Sequence, residues 1–160
     1  MADHSSDELT EELSRLDFAA VSPEEFARIV KGLSVKQLDE VMRGALRERI
    51  LGAVFDRMRQ QFRPDAAGGV TALIRWKVTG GADETEEVYE TAIADGNCSV
   101  TRGRSAAEPR TTLVMADADF LKLVSGNGNP ITMFMMRKLK IAGDVGLAAG
   151  LTRYFDIPKA

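Results

Sequence analysis

The stretch from residue 125 to residue 144 constrains the fold most, because it changes structural period within a short span. It opens with glycines, which tolerate positive φ, and Pro130 suits the first turn of a helix. Four large apolar residues follow, from Met133 to Met136. Leu139 and Ile141 then alternate with lysines, as in a half-buried strand. The stretch is predicted to form a short helix that leads directly into a strand.

Methionine dominates that short helix, and it supports two interpretations. Its side chain is unbranched and polarizable, so it lines surfaces that accept ligands of variable shape. It also fills gaps in ordinary cores. The residues alone leave both interpretations open.

Four earlier segments alternate with period two and predict strands, at residues 70–78, 86–94, 98–102 and 111–115. The Asp95-Gly96 pair predicts a tight hairpin, because both residues tolerate positive φ. Short connections predict that these four strands form an antiparallel meander. Each strand has one apolar face, which helices must cover. The predicted fold class is α+β, with a five-stranded, mostly antiparallel sheet covered by helices on one face.

Helix signals precede and follow the strands. An amphipathic helix is predicted at residues 8–18, and capping patterns at Ser22 and Ser34 start two more. The second of these runs to Phe62, with a break or kink at Gly44 or Gly52. Two later helices are predicted at 117–124, capped by Asp117, and at 145–155. The charged residues predicted to be solvated on the long helix are Arg47, Glu48, Arg57 and Arg59.

Charge and composition exclude several classes of protein. Residues 1–40 hold ten acids and four bases, and residues 41–160 hold fourteen acids and seventeen bases. The body is therefore mildly basic, which indicates an ordinary solvated surface before it indicates transient contact with anionic membranes. The bases are not clustered as in a nucleic-acid-binding protein. No apolar run is long enough to cross a bilayer. A single cysteine, and termini unlike a signal peptide or a peroxisomal address, predict the cytoplasm.

No catalytic or metal-binding set emerges from the residue pattern. The only histidine, His4, lies in a polar tail that is expected to be mobile, so a Ser/His or Cys/His arrangement would have no positioned base. Cys98 is predicted to be a buried, inert thiol. Asp117 and Asp119 are explained by the start of a helix. No cofactor is predicted, and an enzyme would have to depend on buried polar residues near a cavity, with Tyr89, Thr111 and Arg137 as the first to mutate.

A set of short motifs in the second half of the chain forms a signature together with the upstream segment 117–126. The motifs are Asn129-Pro130, Phe134-Met135, Lys138-Leu139-Lys140-Ile141, Gly143-Asp144 and Leu147-Ala148. With these motifs the chain resembles the sterol carrier protein 2 family over about residues 46–155. One departure is Arg137, where that family usually has a small residue.

This resemblance implies a tunnel between the sheet and the helices that shelters an apolar ligand such as a fatty acid, an acyl-CoA or a sterol. Residues 1–37 are then an N-terminal helical extension and residues 38–160 the lipid-binding domain. The expected ligand contacts are Ile74, Trp76, Leu113, Met115, Phe120, Val124, Met133, Phe134, Met136, Leu139, Ile141, Leu147 and Leu151.

Three functions follow, in order of preference. The first is an intracellular lipid carrier without catalytic activity. The second is an accessory module that presents a hydrophobic substrate to a partner enzyme or stabilises it. The N-terminal helices would fold back on the body, form a homodimer or dock the partner. The third is an enzyme that acts on a hydrophobic molecule within the tunnel.

Overall fold

The computed structural model describes residues 22–43, 46–80 and 86–155, in which helices cover one face of a five-stranded sheet. The strands are β1 (Ala72–Thr79), β2 (Glu87–Ala94), β3 (Asn97–Arg102), β4 (Thr111–Ala116) and β5 (Leu139–Gly143). The helices are α1 (Pro23–Lys31), α2 (Val35–Arg43), α3 (Leu46–Gln61), α4 (Pro64–Ala67), α5 (Asp117–Val124), α6 (Pro130–Met135), α7 (Val145–Ala149) and α8 (Leu151–Tyr154). The helix predicted at residues 8–18 lies outside the described residues.

The sheet order is β3-β2-β1-β4-β5, which confirms a five-stranded, mostly antiparallel sheet. The predicted meander is wrong at one point, because β4 pairs in parallel with β1 and not with β3. Trp76 of β1 consequently lies between Tyr89 of β2 and Leu113 of β4. The predicted hairpin is confirmed, since Asp95 and Gly96 both have positive φ between β2 and β3.

The segment 103–110 makes the crossover possible by passing over the outer face of the sheet. Arg75 and Glu90 are cross-strand neighbours on that face, and they form an ion pair of 2.7 Å. The Arg75 guanidinium also donates to the carbonyls of Ser105 and Ala107, while the Ser105 N–H donates to Glu90. The pair is buried beneath this segment, which carries the chain from β3 to the far side of β1.

The inner face of the sheet packs against α3 and α5 through a cluster of aromatic rings. Phe55 of α3 stacks on Tyr89 with a centroid distance of 4.0 Å, and on Phe120 at 5.1 Å. Trp76 meets Phe55 and Phe120 edge to face. The apolar face of the sheet is thus directed at the helices, as the alternating pattern predicts.

Capping explains where the first helices begin. The Glu25 N–H donates to Ser22 Oγ at 3.1 Å, which confirms the predicted cap of α1. Ser34 and Gln37 form a reciprocal capping box ahead of α2. The predicted long helix is divided into α2, which ends at Arg43, and α3.

Two predictions about charged residues are wrong. Arg47 is buried and not solvated, because its guanidinium pairs with Asp117 at 2.6 Å. Asp117 is the first residue of α5 and not its N-cap, a position that Ala116 takes without a side-chain hydrogen bond. The Asp117 carboxylate instead accepts from Arg47 and from the Ala118 N–H.

The last predicted helix, at 145–155, is interrupted at Gly150, where α7 ends and α8 follows. A Cβ atom at Gly150 would lie 2.8 Å from the Tyr154 ring. Glycine therefore permits the turn that brings Tyr154 and Phe155 back onto the body. Phe155 forms an isolated antiparallel bridge with Phe62, which closes the fold beside the end of α3.

Candidate ligand-binding site

An apolar cleft lies between Trp76 of the sheet and the helices that surround it. Its walls come from α1, α3, α5 and the C-terminal end of the described chain. Only Arg57 and Gln61, both on α3, bring polar ends to it. The lining residues are Phe26, Val54, Arg57, Met58, Gln61, Trp76, Leu123, Val124, Leu151 and Phe155.

The cleft is nearly closed. Its free volume is about 30 Å³, which is room for about one water molecule. Phe26 of α1 occupies one side, and Leu151 and Phe155 occupy another. Side chains on facing walls of the cleft therefore almost touch each other.

A short chain of hydrogen bonds fixes the floor of the cleft. The Trp76 indole N–H donates to Thr91 Oγ1 at 3.0 Å, and the Thr91 hydroxyl donates in turn to the sulfur of Met58 at 3.4 Å. The Trp76 indole N–H and the Thr91 hydroxyl are thus both buried and both hydrogen-bonded. The indole ring is therefore held in one orientation. Its N–H already has an acceptor, so a ligand does not need to supply one.

Arg57 gives the cleft its cationic edge. Its pKa is lowered by burial, and the nearby Glu25 carboxylate opposes that effect. The guanidinium is half-buried at the cleft, while the side chain of Arg59 on the same helix is exposed. A negative group at the end of an otherwise apolar ligand would find a partly desolvated cation there.

The predicted contact residues fall into three groups. Trp76, Val124 and Leu151 line the cleft. Phe134 and Met136 are exposed, at 39% and 59% of their surface, and do not line it. The remaining eight lie in the hydrophobic core or against it: Ile74, Leu113, Met115, Phe120, Met133, Leu139, Ile141 and Leu147.

Several residues of the cleft were not among the predicted contacts. Val54 and Met58 belong to the predicted apolar face of the long helix, so the helical spacing located them without showing what they face. Phe26 belongs to the predicted stripe of α1, outside the segment that carries the family resemblance. Only the packing of α1 against α5 brings Phe26 to the cleft, and no local signal reports that contact.

The residues considered for catalysis are not assembled around the cleft. Cys98 is half-buried on β3, and burial raises its pKa to about 11, against the opposing effect of Arg59. Since the thiolate is the nucleophile, Cys98 is a thiol at neutral pH. Thr111 donates its hydroxyl to the carbonyl of Ala142, and Arg137 lies on the surface. Tyr89 is buried under Phe55, and this burial raises its pKa.

Comparison with known sequences places the chain in a family. The model of the SCP-2 sterol transfer family matches residues 53–156. Human sterol carrier protein 2 is 38% identical over 84 residues, which are 52% of this chain and 15% of the human protein. The peroxisomal multifunctional enzyme A of Dictyostelium discoideum is 34% identical over 59 residues, 37% of this chain and 13% of that enzyme. The matched part of the chain is thus a small fraction of these relatives.

Comparison with solved structures gives the same fold. The apo form of sterol carrier protein 2 from Yarrowia lipolytica has a TM-score of 0.52 at 21% identity, over 67% of this chain and 91% of that one. The sec-alkylsulfatase Pisa1 from Pseudomonas sp. has a TM-score of 0.59 at 14% identity, over 96% of this chain and 27% of that one. The family match covers well over half of the residues, and the sheet and helices have the corresponding fold. The chain belongs to the SCP-2 sterol transfer family.

Proposed function

We propose that this protein is a cytoplasmic, non-catalytic carrier that binds one apolar ligand, such as a fatty acid, an acyl-CoA or a sterol, in the cleft above Trp76. The single observation that carries the proposal is the apolar lining of that cleft by five separate elements of the fold. Burial of an acyl chain there stabilises a complex by about 25 cal/mol per Å² without specific polar contacts. Family membership supports the same function.

Ligand entry requires the cleft to open, because ligand sites of this kind have volumes of about 300–1,000 Å³. The C-terminal side is fastened by the Arg63 N–H, which donates to the Tyr154 carbonyl at 2.7 Å, and by the Phe62–Phe155 ring contact. Helix α1 has a polar attachment from Asn127 Nδ2 to the Ala27 carbonyl at 3.1 Å. We place the opening at α1, whose displacement would remove Phe26 from the cleft. Helix α1, which belongs to the N-terminal extension at residues 1–37, then covers the ligand site of the domain at residues 38–160.

The proposed contacts are Trp76, Val124 and Leu151, together with Phe26 and Met58. Met58 suits this position because its side chain adapts to ligands of different shape. Arg57 favours a ligand with a negative head group, and therefore a fatty acid or an acyl-CoA over a neutral sterol.

Trp76 is the only tryptophan, so its fluorescence reports directly on the cleft. The protein purified without denaturant would be extracted with organic solvent and examined by mass spectrometry for a stoichiometric lipid. The delipidated protein would then be titrated with cis-parinaric acid, a fluorescent fatty acid that accepts energy from tryptophan. We expect saturable energy transfer with one ligand per chain. Absence of bound lipid together with absence of transfer would contradict the carrier function.

A second function, an accessory module for an enzyme, is favoured by the length of the relatives. The chain matches 13% of the Dictyostelium multifunctional enzyme and 27% of the Pseudomonas alkylsulfatase. A module of this kind would bind a partner, or a second copy of itself, through α1 and the residues before it. Light scattering and cross-linking of the full chain would distinguish the two functions, since a carrier needs neither a partner nor a dimer.

A further inference from the structure

The exposed apolar side chains of the described residues are concentrated in one place. Four belong to α6 or to the residue that follows it, a fifth begins α7, and α6 packs beside α7. Met135 is the most exposed, with 77% of its surface accessible. An exposed cluster of this kind marks an interaction surface. The members of this α6 patch are Ile131, Phe134, Met135, Met136 and Val145.

The geometry of α6 keeps the patch on the outside. Pro130 and Met133 are buried and attach one side of the helix to the body. The Lys138 N–H donates to the Met133 carbonyl at 2.9 Å, which secures the chain after the helix. Phe134 and Met135 are the next two residues of the helix, so they lie off the buried side, and both are exposed. The exposure of the patch is therefore built into the fold.

Basic residues flank α6 along the chain, and acids are absent between residues 120 and 143. Residues 120–143 contain no aspartate or glutamate but four bases, Lys122, Arg137, Lys138 and Lys140. Arg137 and Lys138 directly follow the exposed Met136 and are themselves exposed. Asp144, the next acid along the chain, is paired with Arg110 at 2.9 Å.

A recess of about 260 Å³ adjoins the patch between α5 and α6, and charged side chains lie among its lining residues. Lys122, Lys138 and Asp119 line it, and so does Met136 of the patch. Burial raises the pKa of the Asp119 carboxyl, and both lysines oppose that effect. The two amines outnumber the single carboxyl, so the recess suits the phosphate of a lipid head group.

We infer that the α6 patch docks this protein on the surface of an anionic phospholipid bilayer. Phe134, Met135 and Met136 enter the interfacial layer, and Arg137 and Lys138 contact the lipid phosphates. This combination of apolar and basic groups is the one by which peripheral segments bind anionic membranes. The inference rests on the proposed carrier function in that a carrier exchanges its ligand at membranes. Docking itself requires no ligand in the cleft.

Sedimentation with vesicles tests the inference on the full, delipidated chain. We expect binding to vesicles of phosphatidylcholine mixed with phosphatidylglycerol, weaker binding to phosphatidylcholine alone, and loss of binding at high salt. Lys138→Gln should lower partitioning about fivefold, which corresponds to about 1 kcal/mol per cation. Lys31→Gln makes the same charge change at an exposed position of α1 and should have no effect.

The double variant Met135→Ser with Met136→Ser should abolish sedimentation with vesicles, and Met135→Leu should preserve it. Both side chains are exposed, so the circular dichroism spectrum and the binding of cis-parinaric acid should be unchanged in these variants. Undiminished sedimentation of the serine variant would overturn the inference, as would equal binding to neutral and anionic vesicles. A dimer that the serine substitutions dissociate, without vesicle binding by the wild type, would also overturn it and identify a self-association surface. Failure of the cleft to bind lipid would contradict the carrier function but not the docking.

Discussion

Arg47 donates from Nη1 to Asp117 Oδ2 over 2.6 Å, and this ion pair joins the start of α3 to the start of α5. The second guanidinium nitrogen, Nη2, donates to the Val78 carbonyl at the end of β1. Both side chains are almost fully buried, at 7% and 2% exposure. The two helices that cover the sheet are thereby fixed to its central strand at the end opposite Phe155.

Replacement of Arg47 should be strongly destabilising. Arg47→Met removes the cation and leaves Asp117 buried without its partner, which costs about 3–5 kcal/mol of the free energy of unfolding. Arg59→Met is the matched control on the same helix, because Arg59 and Asp56 form an exposed pair worth about 1 kcal/mol or less. Urea unfolding of both variants measures the difference. Equal and small losses would show that the buried pair is not needed for stability.

The pair between Arg75 and Glu90 should make stability depend on pH. Burial raises the pKa of Glu90, but hydrogen bonds from Ser105 and Arg75 outweigh it and hold the pKa below its ordinary value of 4.5. A carboxyl with a lowered folded pKa contributes its stability above the ordinary value and loses it as the pH falls through the folded value. Glu90→Gln should therefore be less stable than the wild type at pH 7, and the difference should shrink in acid.

The same substitution should loosen the crossover segment. Glutamine keeps one acceptor oxygen where the carboxylate has two, so it cannot accept from both the Ser105 N–H and the Arg75 guanidinium. The segment is then held by fewer hydrogen bonds, and the exposed bond after Arg104 becomes easier for trypsin to cut. Faster cleavage at Arg104 in Glu90→Gln, measured by mass spectrometry at neutral pH, is the expected result. A cleavage rate equal to that of the wild type would mean that other contacts hold the segment.

What the sequence predicts correctly here is local, and what it misses depends on distant contacts. Alternation located all five strands, and the Ser34–Gln37 pattern located a real capping box, because both signals lie within a few residues. The partner of β4 depends on the passage of segment 103–110 over Arg75, which periodicity does not register. The burial of Arg47 depends likewise on Asp117, far along the chain.

The candidate site follows the same rule. Trp76 was located because strand alternation identifies the inner face of the sheet. Phe134 and Met136 were expected to line a tunnel that the family resemblance implies, yet both are exposed and neither lines the cleft. Phe26 was missed because it reaches the cleft from another element.

Phe26 should control access to the cleft. Phe26→Ala removes a side chain that lines the closed cleft, so the association rate of cis-parinaric acid should rise severalfold as the open state becomes easier to populate. The cost in stability should be about 1–2 kcal/mol, because Phe26 is only partly buried. Ile29→Ala is the control, since Ile29 is partly buried on the same helix but does not line the cleft. Stopped-flow fluorescence compares them, and equal rates in the two variants would exclude α1 as the lid.

Met133 and Phe134 are neighbours with opposite environments, and single substitutions should separate their roles. Met133→Ala should lower the free energy of unfolding by about 2–5 kcal/mol, because Met133 is buried at 6% exposure. Phe134→Ala should change stability much less, since Phe134 is 39% exposed, but it should weaken vesicle binding. Urea unfolding and vesicle sedimentation of both variants are the measurements. A loss of fatty-acid affinity in Phe134→Ala without a change in vesicle binding would show that Phe134 contacts the ligand and not the membrane.

Arg57 should discriminate between ligands by charge. The guanidinium stands at the edge of the cleft, and a fatty acid whose chain lies over Trp76 would present its carboxylate there. Arg57→Met keeps the apolar stem of the side chain and removes the cation. For a pair that remains partly solvated, the affinity for palmitate at neutral pH should fall about two- to fivefold, while the affinity for palmityl alcohol stays unchanged. Arg59→Met, on the same helix but outside the cleft, should leave both affinities unchanged. Equal losses for palmitate and the alcohol would show that Arg57 acts through packing, and an unchanged affinity for palmitate would place the carboxylate elsewhere.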